Sequence, residues 1–234
     1  MSGAAPVVGI VLCGGRSTRM GQDKNLVTWA GLTFLQQVVT ALEQVCSALV
    51  LIKSDFDQVL PDLDAKLPTH VLVDEVRHDG PASSVRVGLE FVRDLWVQNT
   101  AACSDLNTSG KSESAPLVLL TGNDSPLLQS ALLQFLLDRL RSDETFDAVV
   151  PCRSPSPRDC FPLCAAYRLR TLETLLTYLE QGGRSLKGWL SGLRVDWVTE
   201  TSLRAYDPDL RSLINLNSPQ ELEEVRMKLR EVEP

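Results

Sequence analysis

Short apolar runs alternate with amphipathic stretches along most of the chain. Val7–Leu12, Leu49–Ile52 and Leu117–Leu120 contain no charged residue, which is typical of strands buried on both faces of a sheet. Thr33–Cys46 places apolar side chains at helical spacing, and Thr33 with Gln36 has the pattern of a capping box. The same criteria predict further strands at Val71–Val73, Asp147–Val150, Leu163–Tyr167, Val195–Val198 and Leu213–Leu216, and helices at Ser83–Val97, Ser130–Leu140, Leu169–Glu180, Ser185–Leu190 and from Ser218 to Arg230.

Strands that alternate with helices predict an α/β fold with a doubly wound, mostly parallel sheet, in a Rossmann-like three-layer sandwich. The length of 234 residues suits a single domain over 1–234. The Ser-rich stretch Gln98–Pro116 lacks periodicity and is predicted to be a mobile surface insertion. A functional lid is the alternative for this stretch.

Composition excludes several classes of function. The net charge of −7 disfavours a nucleic-acid partner, which would call for a basic surface, and no run reaches the roughly 18 apolar residues of a membrane span. The six cysteines form no C-x-x-C pair and only two histidines are present, so a zinc site is disfavoured. With no signal peptide in view, the expectation is a cytoplasmic protein with reduced thiols.

A glycine-rich, basic loop follows the first predicted strand. Gly14 and Gly15 allow the backbone to turn tightly and to approach a phosphate closely. Arg16, Arg19 and Lys24 add three positive charges within nine residues. The alternative is a glycine turn with solvated charges. Since ligands of open α/β sheets bind at the carboxyl ends of the strands, the combination favours an anion site.

Two carboxylates follow later predicted strands and so belong to the same edge of the sheet. Asp124 comes just after the fourth predicted strand and Asp74 after the third. Mg²⁺ is usually held by one or two carboxylates together with phosphate oxygens, so Asp124 is a candidate metal ligand. The alternatives are that Asp124 caps the next turn and that Asp74 is a solvated acid at a strand end.

The loop resembles the signature L-x-G-G-x-S-x-R-M-G-x-D-K of the molybdenum cofactor guanylyltransferases, within the wider nucleotidyltransferase superfamily. This resemblance implies a nucleotidyltransferase fold, Mg²⁺ as cofactor, GTP as substrate and a molybdopterin-type phosphorylated acceptor. It also implies that Asp124 carries Mg²⁺ and the nucleotide phosphates, as the aspartate of an x-D-x-P motif. The matching loop positions are Leu12, Gly14, Gly15, Ser17, Arg19, Met20, Gly21, Asp23 and Lys24.

Three later segments extend the resemblance over nearly the whole chain. Phe161–Arg168 is similar to a P-L-x-A-x-Y strand, Gly183–Lys187 to a G-x-R-S-L-R turn, and Ile214–Leu222 to an x-N-x-N-T-P-E-E-L strand and helix. Asn215 and Asn217, two apart on a predicted strand, would face one side and suit a hydrogen-bonding ligand such as a pterin. The alternative is that both amides cap turns.

One segment departs from the family pattern. Relatives have G-P-L-A-G after the aspartate at the third strand, whereas this chain has Gly80-Pro81-Ala82-Ser83-Ser84. Ser84 needs more room than glycine, so the base preference does not follow from the resemblance. Arg184 and Lys187 are candidates for the acceptor's phosphate, with solvated surface charges as the alternative.

The predicted activity is Mg²⁺-dependent guanylyl transfer from GTP to molybdenum-bearing molybdopterin. Arg19, Lys24 and Asp124 are the predicted catalytic residues; Leu12, Cys13, Gly14, Gly15, Lys24, Asp74, Gly80, Asp124, Asn215 and Asn217 are the predicted binding residues. Rival hypotheses are cytidylyl transfer to the same pterin, nucleotidyl transfer to another phosphorylated metabolite, and a silent nucleotide-binding adaptor that docks to molybdoenzyme maturation proteins.

Overall fold

The computed structural model of the chain describes residues 5–14, 23–75, 80–104 and 114–230. The strands are β1 (Val7–Leu12), β2 (Thr28–Trp29), β3 (Leu32–Thr33), β4 (Ala48–Lys53), β5 (Thr69–Val73), β6 (Leu117–Gly122), β7 (Ala148–Cys152), β8 (Cys164–Arg168) and β9 (Val195–Thr199). The α-helices are α1 (Phe34–Glu43), α2 (Pro81–Ser104), α3 (Ser130–Ser142), α4 (Thr171–Glu180), α5 (Leu186–Leu190), α6 (Glu200–Leu203) and α7 (Pro219–Arg230). Short 3₁₀ turns occupy Lys24–Leu26, Pro157–Asp159 and Arg211–Leu213.

A seven-stranded sheet in the order β5-β4-β1-β6-β8-β7-β9 forms the centre of the molecule. Only β8 runs against its neighbours β6 and β7, and the other pairings in this sheet are parallel. The predicted doubly wound, mostly parallel sheet is therefore confirmed. β1 lies between β4 and β6, so the chain leaves β1 toward one side of the sheet and later returns to its other side. Such a reversal opens a crevice at the carboxyl ends of the central strands.

Helices cover both faces of the sheet with separate apolar layers. On one face, side chains of α1 and α3 such as Leu35 and Leu136 pack on strand residues such as Val11. On the other, side chains of α2, α4 and α5 such as Leu89, Leu175 and Trp189 form the second layer. Since both faces are covered, the central strands read as continuous apolar runs in the sequence.

Two predicted features differ from the structure. Leu213–Leu216 is not a strand: Leu213 ends a 3₁₀ turn, and the segment continues without regular structure. Asp207 shapes this turn by accepting hydrogen bonds from the N–H groups of Arg211 (2.9 Å) and Ser212 (2.7 Å). The prediction failed because Leu213 and Leu216 are both buried, and an apolar pair of that kind mimics a short strand.

The Ser-rich stretch Gln98–Pro116 is also only partly as predicted. Its first residues continue α2 as far as Ser104, and 105–113 lie outside the described residues. The helix therefore runs into sequence of low helical periodicity.

A small hairpin was not predicted. Thr28 pairs with Thr33, and Trp29 with Leu32, in the antiparallel sheet β2–β3. Ala30 and Gly31 both have positive φ in the connecting turn, at 48° and 85°. Two-residue hairpin turns of this kind usually carry Asn-Gly or Asp-Gly, so the sequence lacked the usual signal.

Among the described residues, no helix is long and apolar enough to cross a membrane.

The capping box at the start of α1 should contribute measurably to stability. The Gln36 N–H donates to Thr33 Oγ1 (3.2 Å), and the Thr33 N–H donates to Gln36 Oε1 (2.8 Å). Thr33→Ala removes the first bond, so we expect the free energy of unfolding to fall by about 1 kcal/mol in chemical denaturation. Thr40→Ala, on the exposed side of the same helix, should change it by less than about 0.5 kcal/mol. Equal losses in the two variants would contradict the capping role.

Candidate active site

The crevice at the switch point lies between the end of β1 and the end of β6. The backbone joins the two sides, because the Asn123 N–H donates to the Leu12 carbonyl at 3.2 Å. β4, the other neighbour of β1 in the sheet, is joined to the same loop, since the Cys13 N–H donates to the carbonyl of Ile52 near the end of β4 (2.9 Å). The described part of the glycine-rich loop and the turn that carries Asp124 are thus held together.

Two buried asparagines form the floor of this crevice. Asn25 is fully buried and Asn123 is 5% exposed. The Asn123 amide donates to Asn25 Oδ1 (2.8 Å), and the amides of both residues donate to the Cys13 carbonyl, at 3.1 Å from Asn25 and 3.3 Å from Asn123. Asp23 accepts from both the backbone N–H and the amide of Asn25, each at 2.9 Å. Because these buried polar groups are all paired, the floor is held at a defined geometry.

Gly14 is required by a close approach. A Cβ on Gly14 would lie 3.0 Å from the Cβ of Ser54, which follows β4. Gln58 bridges the same two segments, since it donates to the Cys13 carbonyl (2.7 Å) and accepts from the Ser54 N–H (2.9 Å). The loop after β4 therefore forms one wall of the crevice, against the backbone of the glycine-rich loop.

Lys24 and Asp124 face each other across the crevice. The Lys24 ammonium lies 3.8 Å from Asp124 Oδ2, and the two side chains are 15% and 21% exposed. Lys24 opens the 3₁₀ turn that Asp23 caps, whereas Asp124 stands in the turn directly after β6. The ammonium and the carboxylate thus meet at the sheet edge to which the sequence assigned them, and their roles in binding and catalysis stay predictions.

The surroundings of Asp124 disfavour its charge. Burial raises the pKa of Asp124 above its usual value, and the nearby Lys24 ammonium partly offsets this by lowering it. Gly122, two residues before Asp124, leaves room for the carboxylate, since a Cβ on Gly122 would lie 2.6 Å from Asp124 Oδ1. A carboxylate in this setting is stabilised by any additional cation.

Both asparagines of the C-terminal motif reach this site, but from an irregular segment instead of a strand. Asn217 Oδ1 accepts a hydrogen bond from the Lys24 ammonium at 2.5 Å. Asn215 Oδ1 accepts from the Ser125 hydroxyl at 2.8 Å. Between them, the Leu216 N–H donates to the Asp124 carbonyl at 2.8 Å. The expectation of two amides on one face of a strand was wrong, although both side chains contact the predicted site.

Asp74 lies on the far side of β4, at the end of the edge strand β5. It is 6% exposed, so the alternative of a solvated strand-end acid was wrong. Its two carboxylate oxygens accept from the hydroxyls of Ser84 (2.6 Å) and Ser83 (3.3 Å) at the start of α2. The serines of the segment that departs from the family pattern thus bind the aspartate that precedes it.

Gly80 contacts the turn at Gly183–Lys187. It has φ of +83°, and a Cβ there would lie 2.8 Å from the Arg184 carbonyl oxygen, which also accepts from the Ala82 N–H at 3.3 Å. Arg184 and Lys187 are both exposed, and the Lys187 ammonium donates to the Arg158 carbonyl at 2.6 Å. The structure therefore places the G-x-R-S-L turn beside the start of α2.

Two of the predicted binding residues have buried side chains, and other predicted residues lie outside the described part of the chain. Leu12 and Cys13 are buried in the apolar layers on the two opposite faces of the sheet, and burial raises the pKa of the Cys13 thiol to about 12. Gly15 and Arg19, with Arg16, lie outside the described residues.

The sequence reasoning missed the polar residues that support the site. Asn25, Asn123, Gln58 and Ser125 bond to the loop, to each other or to Asn215. A signal was available for two of them, because Asn25 and Asn123 directly adjoin Lys24 and Asp124 in the sequence. Gln58 offered no signal, since only the folded loop after β4 brings it to Cys13.

The side chains present fit a magnesium ion that is shared with a polyphosphate. Asp124 supplies an oxygen ligand at a site where burial disfavours an uncompensated carboxylate. In the described residues, no group of three or more His, Cys, Asp or Glu side chains could hold a metal alone. One carboxylate with phosphate oxygens and waters is the usual environment of Mg²⁺ at nucleotide sites.

Solved structures with the nucleotidyltransferase fold superpose on this doubly wound sheet. The structure titled molybdopterin-guanine dinucleotide biosynthesis protein A from Archaeoglobus fulgidus aligns with a TM-score of 0.68 at 18% identity, covering 96% of this chain and 99% of that one. The 2-C-methyl-D-erythritol 4-phosphate cytidylyltransferase from Thermus thermophilus aligns with a TM-score of 0.58 at 15% identity, covering 94% and 98% of the two chains.

The chain belongs to the MobA-like NTP transferase family, whose domain model matches residues 9–195. A probable molybdenum cofactor guanylyltransferase from Chloroflexus aggregans is 30% identical over 226 residues, which is 94% of each chain. One from a Nostoc species is 28% identical over 228 residues, or 96% of this chain and 93% of the relative. The predicted family is confirmed, and the protein is a nucleotidyltransferase.

Removal of the Lys24 charge should shift the titration of Asp124. Because the ammonium lowers the pKa of Asp124, Lys24→Ala should raise that pKa further. The folded state then holds the proton more tightly than the unfolded chain, so the contribution of Asp124 to stability falls as the pH rises through its unfolded and folded pKa values. Carbon-13 NMR titration of the carboxyl group measures the shift.

Lys66→Ala is the matched control, since Lys66 is exposed and its backbone N–H bonds to Glu43 at the far end of α1. It should leave the pKa of Asp124 unchanged. An unchanged pKa in Lys24→Ala as well would mean that the two groups do not interact in solution.

Proposed function

We propose that the protein transfers the guanylyl group of GTP to the terminal phosphate of a molybdopterin-type acceptor and releases pyrophosphate. The observation that carries this proposal is the Lys24–Asp124 pair, 3.8 Å apart in a crevice at the switch point of a nucleotidyltransferase fold. The names of the relatives from Chloroflexus aggregans and a Nostoc species support guanine as the base and the molybdenum cofactor as the acceptor.

The reaction needs positioning and charge neutralisation more than proton transfer. An oxygen of the acceptor's phosphate forms a bond to the α-phosphorus while the bond from that phosphorus to the bridging oxygen of the pyrophosphate breaks. The attacking oxygen already carries a negative charge, so no general base is required. Negative charge builds on the departing pyrophosphate, and cationic groups aimed at it lower the barrier.

The chain provides groups for each part of this step. Lys24, mounted on a capped turn, directs its ammonium toward the phosphates, and the backbone at Gly14 allows them to approach. Mg²⁺, when bound, would neutralise phosphate charge, and Asp124 is the residue that would hold it. Arg19 is proposed as a second phosphate contact on the strength of the loop motif.

The acceptor is proposed to lie on the β6 side of the crevice. Asn215 and Asn217 stand there beside Ser125 and Lys24, and their amide N–H₂ groups are donors suited to an uncharged, hydrogen-bonding ring. The nucleoside then lies on the opposite side, above β4 and β5, where Asp74 and Gly80 flank the start of α2.

A second candidate is cytidylyl transfer to the same acceptor. The observation behind it is the pair of serine hydroxyls at Asp74, because Ser83 and Ser84 depart from the G-P-L-A-G pattern of the resemblance, which therefore does not fix guanine as the base. The two nucleotides differ only in the base, so the remainder of the mechanism is shared.

Asp124→Asn tests the central assignment. The amide cannot replace the carboxylate as an anionic ligand, so Mg²⁺-dependent pyrophosphate release should fall by about two orders of magnitude or more. Asp138→Asn is the matched control, because Asp138 lies on α3 with a 60% exposed side chain. Its activity should equal that of the unmodified protein.

The assay combines molybdopterin, Mg²⁺ and each nucleoside triphosphate in turn, with pyrophosphate as the readout. Release with GTP supports the first candidate, and preference for CTP supports the second. Full Mg²⁺-dependent activity in Asp124→Asn would remove the metal role of Asp124. Absence of pyrophosphate release with every nucleotide and a range of phosphorylated acceptors would point to the silent adaptor.

A further inference from the structure

Lys24 has a long, flexible side chain whose charged end is held by two contacts. A lysine carries four rotatable bonds, so fixing its charged end costs rotamer entropy. Its ammonium donates to Asn217 Oδ1 (2.5 Å) and lies 3.8 Å from Asp124 Oδ2. The shorter of the two contacts is therefore made to an uncharged amide, and that amide comes from the opposite end of the chain.

Asn217 is itself held in place by the start of α7. Its backbone N–H donates to Glu221 Oε2 (2.6 Å), which also accepts from the Ser218 N–H (3.1 Å). The Glu221 N–H returns a bond to Ser218 Oγ at 3.2 Å, which completes the reciprocal pattern of a capping box. The side chain of Asn217 thus projects from a fixed helix start.

The two ends of the chain are also packed together around this contact. Val27 and Phe34 from the hairpin region form a buried cluster with Leu216 and Leu222. Arg226 of α7 adds a hydrogen bond to the Thr28 carbonyl at 3.3 Å. The segment that presents Lys24 and the segment that presents Asn217 therefore share one small core.

From this arrangement we infer that Asn217 is a positioning residue for Lys24, and the inference rests on the proposed function. Its amide oxygen fixes the ammonium in the crevice without adding a second negative charge to that of Asp124. A carboxylate at the same place would neutralise that charge and repel a triphosphate. The amide therefore suits a lysine that must be ordered and still attract phosphate.

A double-mutant cycle tests this role and separates it from direct binding of the acceptor. The variants are Asn217→Leu, Lys24→Ala and the double variant, with kcat and KM measured for GTP and for the acceptor. Loss of one hydrogen bond to a charged group should reduce kcat/KM for GTP about tenfold when Lys24 is present. In the Lys24→Ala background the same substitution should change it less than about twofold, because the group it acts through is gone.

Gln220→Ala, an exposed amide on α7, is the matched control and should leave both constants unchanged. Equal losses from Asn217→Leu in the two backgrounds, or a loss confined to KM for the acceptor, would overturn the positioning role. If Asn217→Leu does not fold, Asn217→Ala serves in the same cycle.

Binding of a GTP analogue with a methylene bridge between the α- and β-phosphates, measured by calorimetry with Mg²⁺, gives a second readout of the same cycle. It keeps the inference distinct from the proposed function. No pyrophosphate release by the unmodified protein would reject the function. Non-additive losses of analogue affinity would still support the positioning of Lys24, and additive losses would reject it.

Discussion

The site depends on an attraction between two opposite charges at the carboxyl end of the sheet. Lys24 and Asp124 come from the two sides of the point where the strand order reverses, and each is mostly shielded from solvent. Burial disfavours the ionised carboxylate, and the lysine only partly offsets this. Two charges held in this way would suit a polyphosphate bound together with a divalent cation, as proposed for this site.

Neutral amides make the direct contacts in this arrangement, and the carboxylates of Asp23 and Glu221 hold Asn25 and Asn217 in place behind them. Asn25 and Asn123 bind each other and the Cys13 carbonyl beneath the crevice, while Asn217 holds Lys24 from above. An amide both donates and accepts, so it can join backbone to side chain without altering the local charge. The amides therefore add no charge of their own beside Lys24 and Asp124.

The sequence was most informative where a residue's role is local or its burial is complete. The apolar runs of β1, β4 and β6 and the capping box of α1 were readable because both depend on short-range patterns. Lys24 and Asp124 could be assigned to one edge of the sheet because parallel strands end together. The serine contacts of Asp74 and the bridge made by Gln58 could not be predicted, since they depend on how separate loops meet. Leu213 and Leu216 led to the wrong prediction of a strand, because buried side chains in an irregular segment follow no regular spacing in the sequence.

The contacts of the C-terminal segment tie the geometry of the site to a late part of the sequence. The pairing of β1 with β4 and β6 lies within the first 122 residues and sets the sheet edge at which the lysine and the aspartate stand. The hydrogen bonds from Leu216 to Asp124 and from Lys24 to Asn217 form only after nearly a hundred more residues. The arrangement of Lys24 and Asp124 therefore depends on a segment that is remote from both of them in the sequence.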